Sequence, residues 1–475
     1  MSTPERRDRD TRRRHWETVA QTAPEASWWA RSYHRRLTEC YRFWIAPRQR
    51  VLEIGCGTGD LLAALQPALG VGLDFSSGMI AHARRRHPSL HFLVADAQAL
   101  PLAGPFDVII LSDLVNDAWD VQQLLRQVAS LCAPHTRVVV NHQSRLWEPV
   151  LTLARRLGLA RPVLQQNWLS PGDLRDLLAL EGFEVVRHSR EILLPLPMPG
   201  LATLANRVLA RLPLLRHLTL ANVHIARAAR AVPLEPTPSV SVIIPARNEA
   251  GNIPAVFERV PRFAPGLELV FVEGHSTDDT WETIRREVAA HPDWSCQMLR
   301  QSGRGKGDAV RLGFAHARGD ILMILDADLT MPPEDLPRFH RALLDGRGDF
   351  INGVRLVYPM EGEAMRFLNL LGNHFFSLAF SWLLGQRVKD TLCGTKVLWR
   401  RDYARIAANR AHFGDFDPFG DFDLLFGAAK LGLRITDLPV RYRERTYGTT
   451  NIQRWRHGLL LLRMTWFGLW RLKFR

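Results

Sequence analysis

Asp320-Ile-Leu-Met-Ile-Leu-Asp326-Ala-Asp328-Leu-Thr330 decides how the second half of the chain is read. Ile321 to Leu325 is an apolar run of strand length, and Asp326 and Asp328 stand where that strand ends. Alternate residues of an extended segment point the same way, so the two carboxylates share one face at the strand tip. Held together they repel and lose solvation unless a cation joins them. A hard divalent ion such as Mg²⁺ or Mn²⁺, bound by one or two carboxylates and otherwise by substrate phosphates, meets that need. Asp326 and Asp328 are therefore the candidate metal ligands. A polar turn after a buried strand would look the same, and the order of the segments around it separates the two readings.

Val240–Ile244 is a nearly pure β-branched strand that runs into Pro245-Ala246-Arg247-Asn248-Glu249. Leu267–Val272 is a second strand, ending in Glu273-Gly274-His275-Ser276, and Ser276 to Asp279 offers capping chemistry for a helix over Trp281–Ala290. Gly303-Arg-Gly305-Lys306-Gly307 then opens a helix just before the Asp-Ala-Asp strand. In this order the segments resemble the family 2 inverting glycosyltransferases of GT-A fold, from Ser239 to about Asn451. The likeness is greatest to the branch that makes dolichyl- or polyprenyl-phosphate hexoses. The resemblance implies that Pro245, Ala246 and Glu249 cradle the nucleotide of a nucleotide-sugar donor, and that Glu273 meets its base or ribose. It implies that Lys306 sits near the diphosphate and that Asp326 and Asp328 engage the sugar nucleotide and the metal. The chain departs from the family at Glu273-Gly274-His275-Ser276, where Asp-Asp-Gly-Ser is usual.

A phosphate monoester acceptor is already an anion, so it needs cations more than a base. Asn352-Gly353-Val354-Arg355 resembles the acceptor segment of the polyprenyl-phosphate branch, and Arg366 is a second cation within reach. Arginine meets phosphate as a planar fork, which makes the two a candidate clamp. The alternative acceptor, a sugar hydroxyl in a glycan or glycolipid, would require a base, for which Asp421 or Asp423 in Gly420-Asp-Phe-Asp423 is placed. Lys389-Asp390-Thr391-x-Cys393-Gly394-Thr395-Lys396 has the small and polar composition of a substrate-facing loop, with Cys393 read as packing. Arg445-x-x-Gly448-x-Thr450-Asn451 resembles the loop that closes over the donor.

The first half carries a different signature. Val51-Leu-Glu53-Ile-Gly55-Cys-Gly57-Thr-Gly59 reads as a strand entering a glycine turn, where the backbone can approach a ligand closely. Val71–Leu73 then ends at Asp74, about twenty residues on, where a doubly wound fold places a carboxylate for ribose hydroxyls. Phe92–Val94 before Asp96, Phe106–Leu111 before Ser112 and Asp113, and Val138–Val140 supply further strands, which together mean a parallel α/β sheet. Over residues 45–190 this part resembles the class I S-adenosylmethionine-dependent methyltransferases. The resemblance implies that Gly55, Gly57 and Gly59, after Glu53, line the methionine part of the cofactor, with Asp74 on the ribose and Asp96 on the adenine. The glycine spacing is not that of dinucleotide folds and argues against NAD. His142, at a strand end, is a candidate base for an O-methyl acceptor. A domain that binds cofactor without turnover, serving as a scaffold, is the remaining alternative.

The fold class expected is thus α/β with two doubly wound domains, a Rossmann-like methyltransferase and a GT-A glycosyltransferase, plus amphipathic helices at a membrane surface. The boundaries read as a basic head and N-terminal helices over 1–44, the methyltransferase over 45–231 and a Pro-rich linker over 232–238. The glycosyltransferase then covers 239–455, and a basic amphipathic helix 456–475. A net charge of +14 points to an anionic partner. Its cations near the end mix with Trp and Leu, which suits an anionic membrane surface and not nucleic acid. Arg6 to Arg14 reads as a mostly disordered head. The scattered cysteines 40, 56, 132, 296 and 393 argue against disulfides and zinc. No apolar signal core opens the chain, so the reading is cytoplasmic, peripheral to the inner face of the membrane. Phe367–Gly385 lacks formal charge but carries a stripe of Asn369, Asn373, His374, Ser377 and Ser381. It and the segment 456–475 are read as helices lying in the interface. An arginine in mid-span costs about 2.5–3.5 kcal/mol, whereas cations near an anionic leaflet gain about 1 kcal/mol each.

Overall fold

A computed structural model of the chain describes all residues except 1–3, 23–27, 159, 161–162, 230–236, 356–366, 413–419, 441–442, 444–446, 448–453 and 475. The chain divides into two compact units, Met1–Arg230 and Ala231–Lys473. Most of the expected linker falls outside the described residues.

In the first unit seven strands form one sheet: β1 (Arg50–Ile54), β2 (Leu69–Asp74), β3 (His91–Val94), β4 (Val108–Ser112), β5 (Arg137–Gln143), β6 (Phe183–Glu191) and β7 (Ala221–Ala228). Their order is β3-β2-β1-β4-β5-β7-β6. The first five run parallel, and β7 slots antiparallel between β5 and β6. Parallel strands are covered on both faces, which is why β1, β4 and β5 are buried almost continuously rather than at alternate residues. The chain reverses direction across the sheet between β1 and β4, and the crevice at that switch point is where such folds bind ligands.

The basic head is ordered, contrary to the sequence reading. Pro4–Thr22 is a helix. Arg12 pairs with Asp8 one turn away and donates to the Gln165 carbonyl, and Arg9 reaches Asp96. Trp16, Val19 and Ala20 pack on Met79. Composition alone misjudged it because its acids and cations find partners on other elements. Glu17 accepts from the Ser77 and Gly78 amides and from the Ser77 hydroxyl at 2.6, 3.0 and 2.9 Å, capping the helix Ser77–Arg86. Burial alone would raise that carboxyl, but these donors bring it below its ordinary range.

The second unit repeats the opening of the first. Its strands are β8 (Val240–Ala246), β9 (Glu268–Glu273), β10 (Ser295–Arg300), β11 (Ile321–Ile324), β12 (Phe350–Val354), β13 (Lys396–Trp399) and β14 (Ile435–Pro439), in the order β10-β9-β8-β11-β13-β12-β14. β13 alone among these pairs antiparallel with its neighbours. Both units are thus α/β sheets, the first methyltransferase-like and the second of GT-A type. The helix after β9 begins at Thr280, and within the expected capping segment Ser276 to Asp279 it is Asp278 that caps it. Asp279 makes no side-chain cap, whereas Asp278 accepts from the Thr280 amide at 3.1 Å.

Two later helices, Phe367–Leu384 and Arg454–Gly468, pack on each other. The Ser377 and Ser381 hydroxyls both donate to the Val388 carbonyl, so this part of the polar stripe holds the following loop. Phe375, Leu378 and Trp382 on the first helix, and Leu459, Leu462 and Trp466 on the second, remain exposed, as does Trp470 just beyond. Among the described residues no helix is long and apolar enough to cross a membrane. All five cysteines are free thiols.

Candidate functional site

Each sheet presents a site at the carboxyl ends of its strands. In the first unit the turn after β1 is built from three glycines in left-handed backbone, Gly55, Gly57 and Gly59. A Cβ on Gly59 would enter the Phe92 ring, whereas one on Gly57 would meet nothing within 4 Å. Gly57 therefore faces open space, as a ligand cradle must. The turn opens onto a cavity of about 680 Å³ lined by Glu53, Gly55, Gly57, Asp74, Ala95, Ala97, Asp113 and Asp117, among others. That volume is ordinary for a small-molecule site.

The acids of this cavity are strained by burial. Glu53 is pushed up to about 8 by burial, with Asp60 and Asp74 adding to the rise, and its Oε2 is buried without a hydrogen-bond partner. Asp74 is raised too, by burial, although it accepts from the Gly57 and Ser76 amides at 3.0 and 2.9 Å. An orphaned carboxylate oxygen and a bare glycine cradle fit a ligand that brings donors and positive charge. Asp96 turns elsewhere. Its carboxylate accepts from Gln98 N at 2.9 Å and pairs with Arg9, and its neighbours Ala95 and Ala97 line the cavity instead.

His142 does not serve as a base here. It is fully buried, stacked on His224, which stacks in turn on His188. Burial lowers both His142 and His188 to about 4. Sequence reading missed what does face the cavity from the N-terminal helices: Arg12, Trp16, Arg31, His34 and Arg35. The spacing of Arg31, His34 and Arg35 on one helical face was the available signal.

In the second unit Asp326 and Asp328 follow β11 as expected, both partly exposed. Lys306, in the first turn of the helix Lys306–His316, places Nζ 2.5 Å from Asp326 Oδ1. Gly394 passes so close that a Cβ there would land on both the Asp326 carboxylate and the Lys306 ammonium. Asp328 Oδ1 accepts from the Thr330 hydroxyl at 2.8 Å, which fixes the turn. Across the switch point, Pro245 and Ala246 end β8, and Ala246 lies in register with Glu273. Glu249 is buried and accepts from Asn252 Nδ2 at 2.6 Å, while its own amide donates to the Thr280 hydroxyl. Glu273 accepts from Ser276 N at 2.6 Å, and His275 takes a left-handed backbone with its Nε2 2.9 Å from the Gly303 carbonyl. The altered motif thus folds as a tight, self-bonded turn.

Arg355 pairs with an acid of the following loop. Its Nε and Nη2 donate to the Asp390 carboxylate at 2.8 and 3.0 Å. Asp390 also accepts from the Leu392 and Cys393 amides. Burial would raise this carboxyl, but the Arg355 guanidinium and those amides hold it below its ordinary range. The pair therefore shapes the loop that presses Gly394 onto Asp326. Asp423 is buried against Arg410 at 2.8 Å, an arrangement that suits a strut more than a base. The side chain of Asp421 lies outside the described residues, as do Arg366 and Arg445. Gly420, just before Asp421, abuts Gly307 beside Lys306, so this helix start belongs to the same edge. Tyr447, within the expected closing loop, packs on Gly251 beside the β8 turn. Cys393 is buried, and burial raises its thiol to about 11, in keeping with packing.

Comparison with known proteins follows this division. The family model for glycosyl transferase family 2 matches residues 241–405, and that for a methyltransferase domain matches residues 51–135. Glycosyltransferase AglJ of Haloferax volcanii is 31% identical over 228 residues, which cover 47% of this chain and 70% of that protein. The dolichyl-phosphate hexose transferase of the same organism is 30% identical over 43% of this chain and 83% of its own length. The dolichol-phosphate mannosyltransferase of Pyrococcus furiosus is 37% identical, over 25% of this chain and only 33% of that protein.

Proposed function

This chain belongs to glycosyl transferase family 2 and carries a methyltransferase domain beside the glycosyltransferase, and from that premise we propose the reaction of each unit. The second unit transfers a hexose, with inversion, from a nucleotide-sugar to a polyprenyl-phosphate-type lipid carrier at the cytoplasmic face of the membrane. The observation that carries this reading is the set of Asp326, Asp328, Lys306 and Gly394 at one sheet edge. As the sugar leaves, negative charge builds on the nucleoside diphosphate. Lys306 stands where it offsets part of that charge once the donor displaces it from Asp326. Asp328 and Asp326 would hold a divalent ion, which supplies further charge stabilisation when bound. No group of three or more acidic, histidine or cysteine side chains among the described residues is arranged to hold an ion by itself. Two carboxylates with substrate phosphates complete such a site.

A phosphate acceptor suits the site because Asp423 is committed to Arg410 and needs no catalytic part. The exposed faces of the helix pair, with Arg463 and Arg471 beside them, support docking on an anionic leaflet where a lipid carrier resides. The first unit takes S-adenosylmethionine as its cofactor, with Glu53, Gly55, Gly57 and Asp74 as the residues that hold it. Binding of a nucleoside diphosphate to the full chain, titrated with and without Mn²⁺, tests the donor site. Tight binding that requires the ion and is lost in Asp328→Ala supports the reading. Binding indifferent to both removes it.

A further inference from the structure

The cavity of the first unit has a floor and a mouth of opposite charge. Glu53, Asp74 and Asp113 line its depth, whereas Arg31, His34 and Arg35 bring one face of the helix Trp28–Trp44 to it, exposed to solvent. Acids suit a cofactor that carries a sulfonium and an ammonium. Its carboxylate is the group that the arginines suit.

Asp113 follows β4 directly at the switch point, and it is a non-glycine residue in left-handed backbone, φ 54°. Such a conformation persists where the surroundings fix it. Here they do. The Tyr33 hydroxyl donates to both Asp113 oxygens at 2.9 and 3.1 Å, and Asn141 Nδ2 donates to Oδ1 at 2.6 Å. Asn141 is held in turn by the Tyr41 hydroxyl at 2.7 Å. Asp117 is the other charged group facing Asp113, and Arg12 pairs with it at 3.6 Å. A carboxylate oriented by donors from a helix and from β5, and opening on the cavity, is positioned for proton transfer.

Resting on the reading of this cavity as the cofactor site, we propose that Asp113 receives the proton of the methyl acceptor. The acceptor is a hydroxyl or an amine. In the step, the acceptor's lone pair bonds to the methyl carbon while the carbon–sulfur bond breaks with its pair left on sulfur. The acceptor's proton passes to the Asp113 carboxylate. Burial, opposed by the Tyr33 hydrogen bond, raises Asp113 to about 7, which matches a base to neutral pH.

Proton release on cofactor binding tests this without knowing the acceptor. A cation entering beside Asp113 favours its charged form, and at pH 7 a group with a pKa of about 7 has about half a proton to lose. Calorimetric titration of the full chain with S-adenosylmethionine, in two buffers of different ionisation heat, reads that number. Asp113→Asn, an exchange that tolerates the left-handed backbone, is expected to release fewer protons on binding than wild type. Glu53 contributes equally to both proteins. Tyr33→Phe removes a donor to the carboxylate and shifts the release to higher pH. Equal release by wild type and Asp113→Asn overturns the base assignment. A wild-type chain that binds no S-adenosylmethionine overturns the cofactor reading instead, and this proposal with it.

Discussion

The two sheets open alike and then part. In each, the first four strands lie in the spatial order third, second, first, fourth, and site residues end or follow the first, second and fourth strands. Beyond that point the first unit inserts β7 between β5 and β6, whereas the second places its antiparallel β13 directly beside β11. That placement brings the turn before β13, with Gly394, onto Asp326. The first unit lacks an equivalent strand there, and its edge stays open as a cavity floored by buried acids. One frame thus yields a cradle for a cationic small molecule in one case. In the other it yields an ion-paired cluster suited to diphosphate chemistry.

The largest expected effect falls on the second edge. Asp328→Ala should lower hexose transfer on the order of 10³-fold, as loss of a charge-stabilising group does, while S-adenosylmethionine affinity in a parallel titration stays unchanged. A matching loss in cofactor affinity would mean that the variant had unfolded the chain rather than disabled one site.

Glycines separate the two edges more finely. Gly394 adopts ordinary backbone but leaves no room for a side chain, so Gly394→Ala should displace Asp326 or Lys306 and cut transfer by about 10–100-fold, the scale of a misplaced catalytic group. Gly57 has room but left-handed backbone. Gly57→Ala should therefore cost about 1–2 kcal/mol of strain, read as a roughly tenfold loss of S-adenosylmethionine affinity. Similar losses from both would break the distinction between close approach and backbone angle.

The exposed faces of the helix pair in the second unit offer a third test. Leu378→Asp with Trp466→Asp should reduce co-sedimentation with vesicles containing anionic lipid by about tenfold, in line with the apolar area removed, and leave nucleotide binding intact. Vesicle binding that persists would place the membrane contact elsewhere.

The smallest effect is on stability against pH. Glu53 has a folded pKa raised to about 8 from an ordinary 4.5, so the stability it contributes is complete below about 4.5 and is lost as pH rises through 8. Glu53→Gln should flatten the decline in Tm between about pH 4.5 and pH 8. Asp390 is shifted the other way. Its contribution is present above its ordinary value and lost as pH falls through its lower folded one, so Asp390→Asn should leave the alkaline limb unchanged. His142 and His188, lowered to about 4, give the first unit an acid limb as well, with stability lost below about 6.5.

What was legible in the sequence is what is local. A strand followed by an acid or a glycine turn is written within ten residues, and on that basis Gly55 to Gly59, Asp74, Lys306, Asp326 and Asp328 were placed. What was hidden is long-range pairing. Arg355 and Asp390 are 35 residues apart, and Tyr33 and Asp113 are 80 apart. No periodicity specifies such partners. The basic head misled for the same reason, since its charges looked solvated until Asp96, Asp117 and the Ser77 helix cap supplied their counterparts. His142 shows the converse: a strand-end histidine fits a base by position, and only the ring stack reveals that it is buried.

The most direct test of the account is a transfer assay with the purified full chain. It combines Mg²⁺ or Mn²⁺, a panel of nucleotide-sugars and polyprenyl phosphate in detergent, with mass spectrometry of the lipid. The account predicts a polyprenyl-phospho-hexose from one donor, abolished in Asp328→Ala. Donor hydrolysis without a lipid product, or transfer to a sugar hydroxyl in its place, would contradict it.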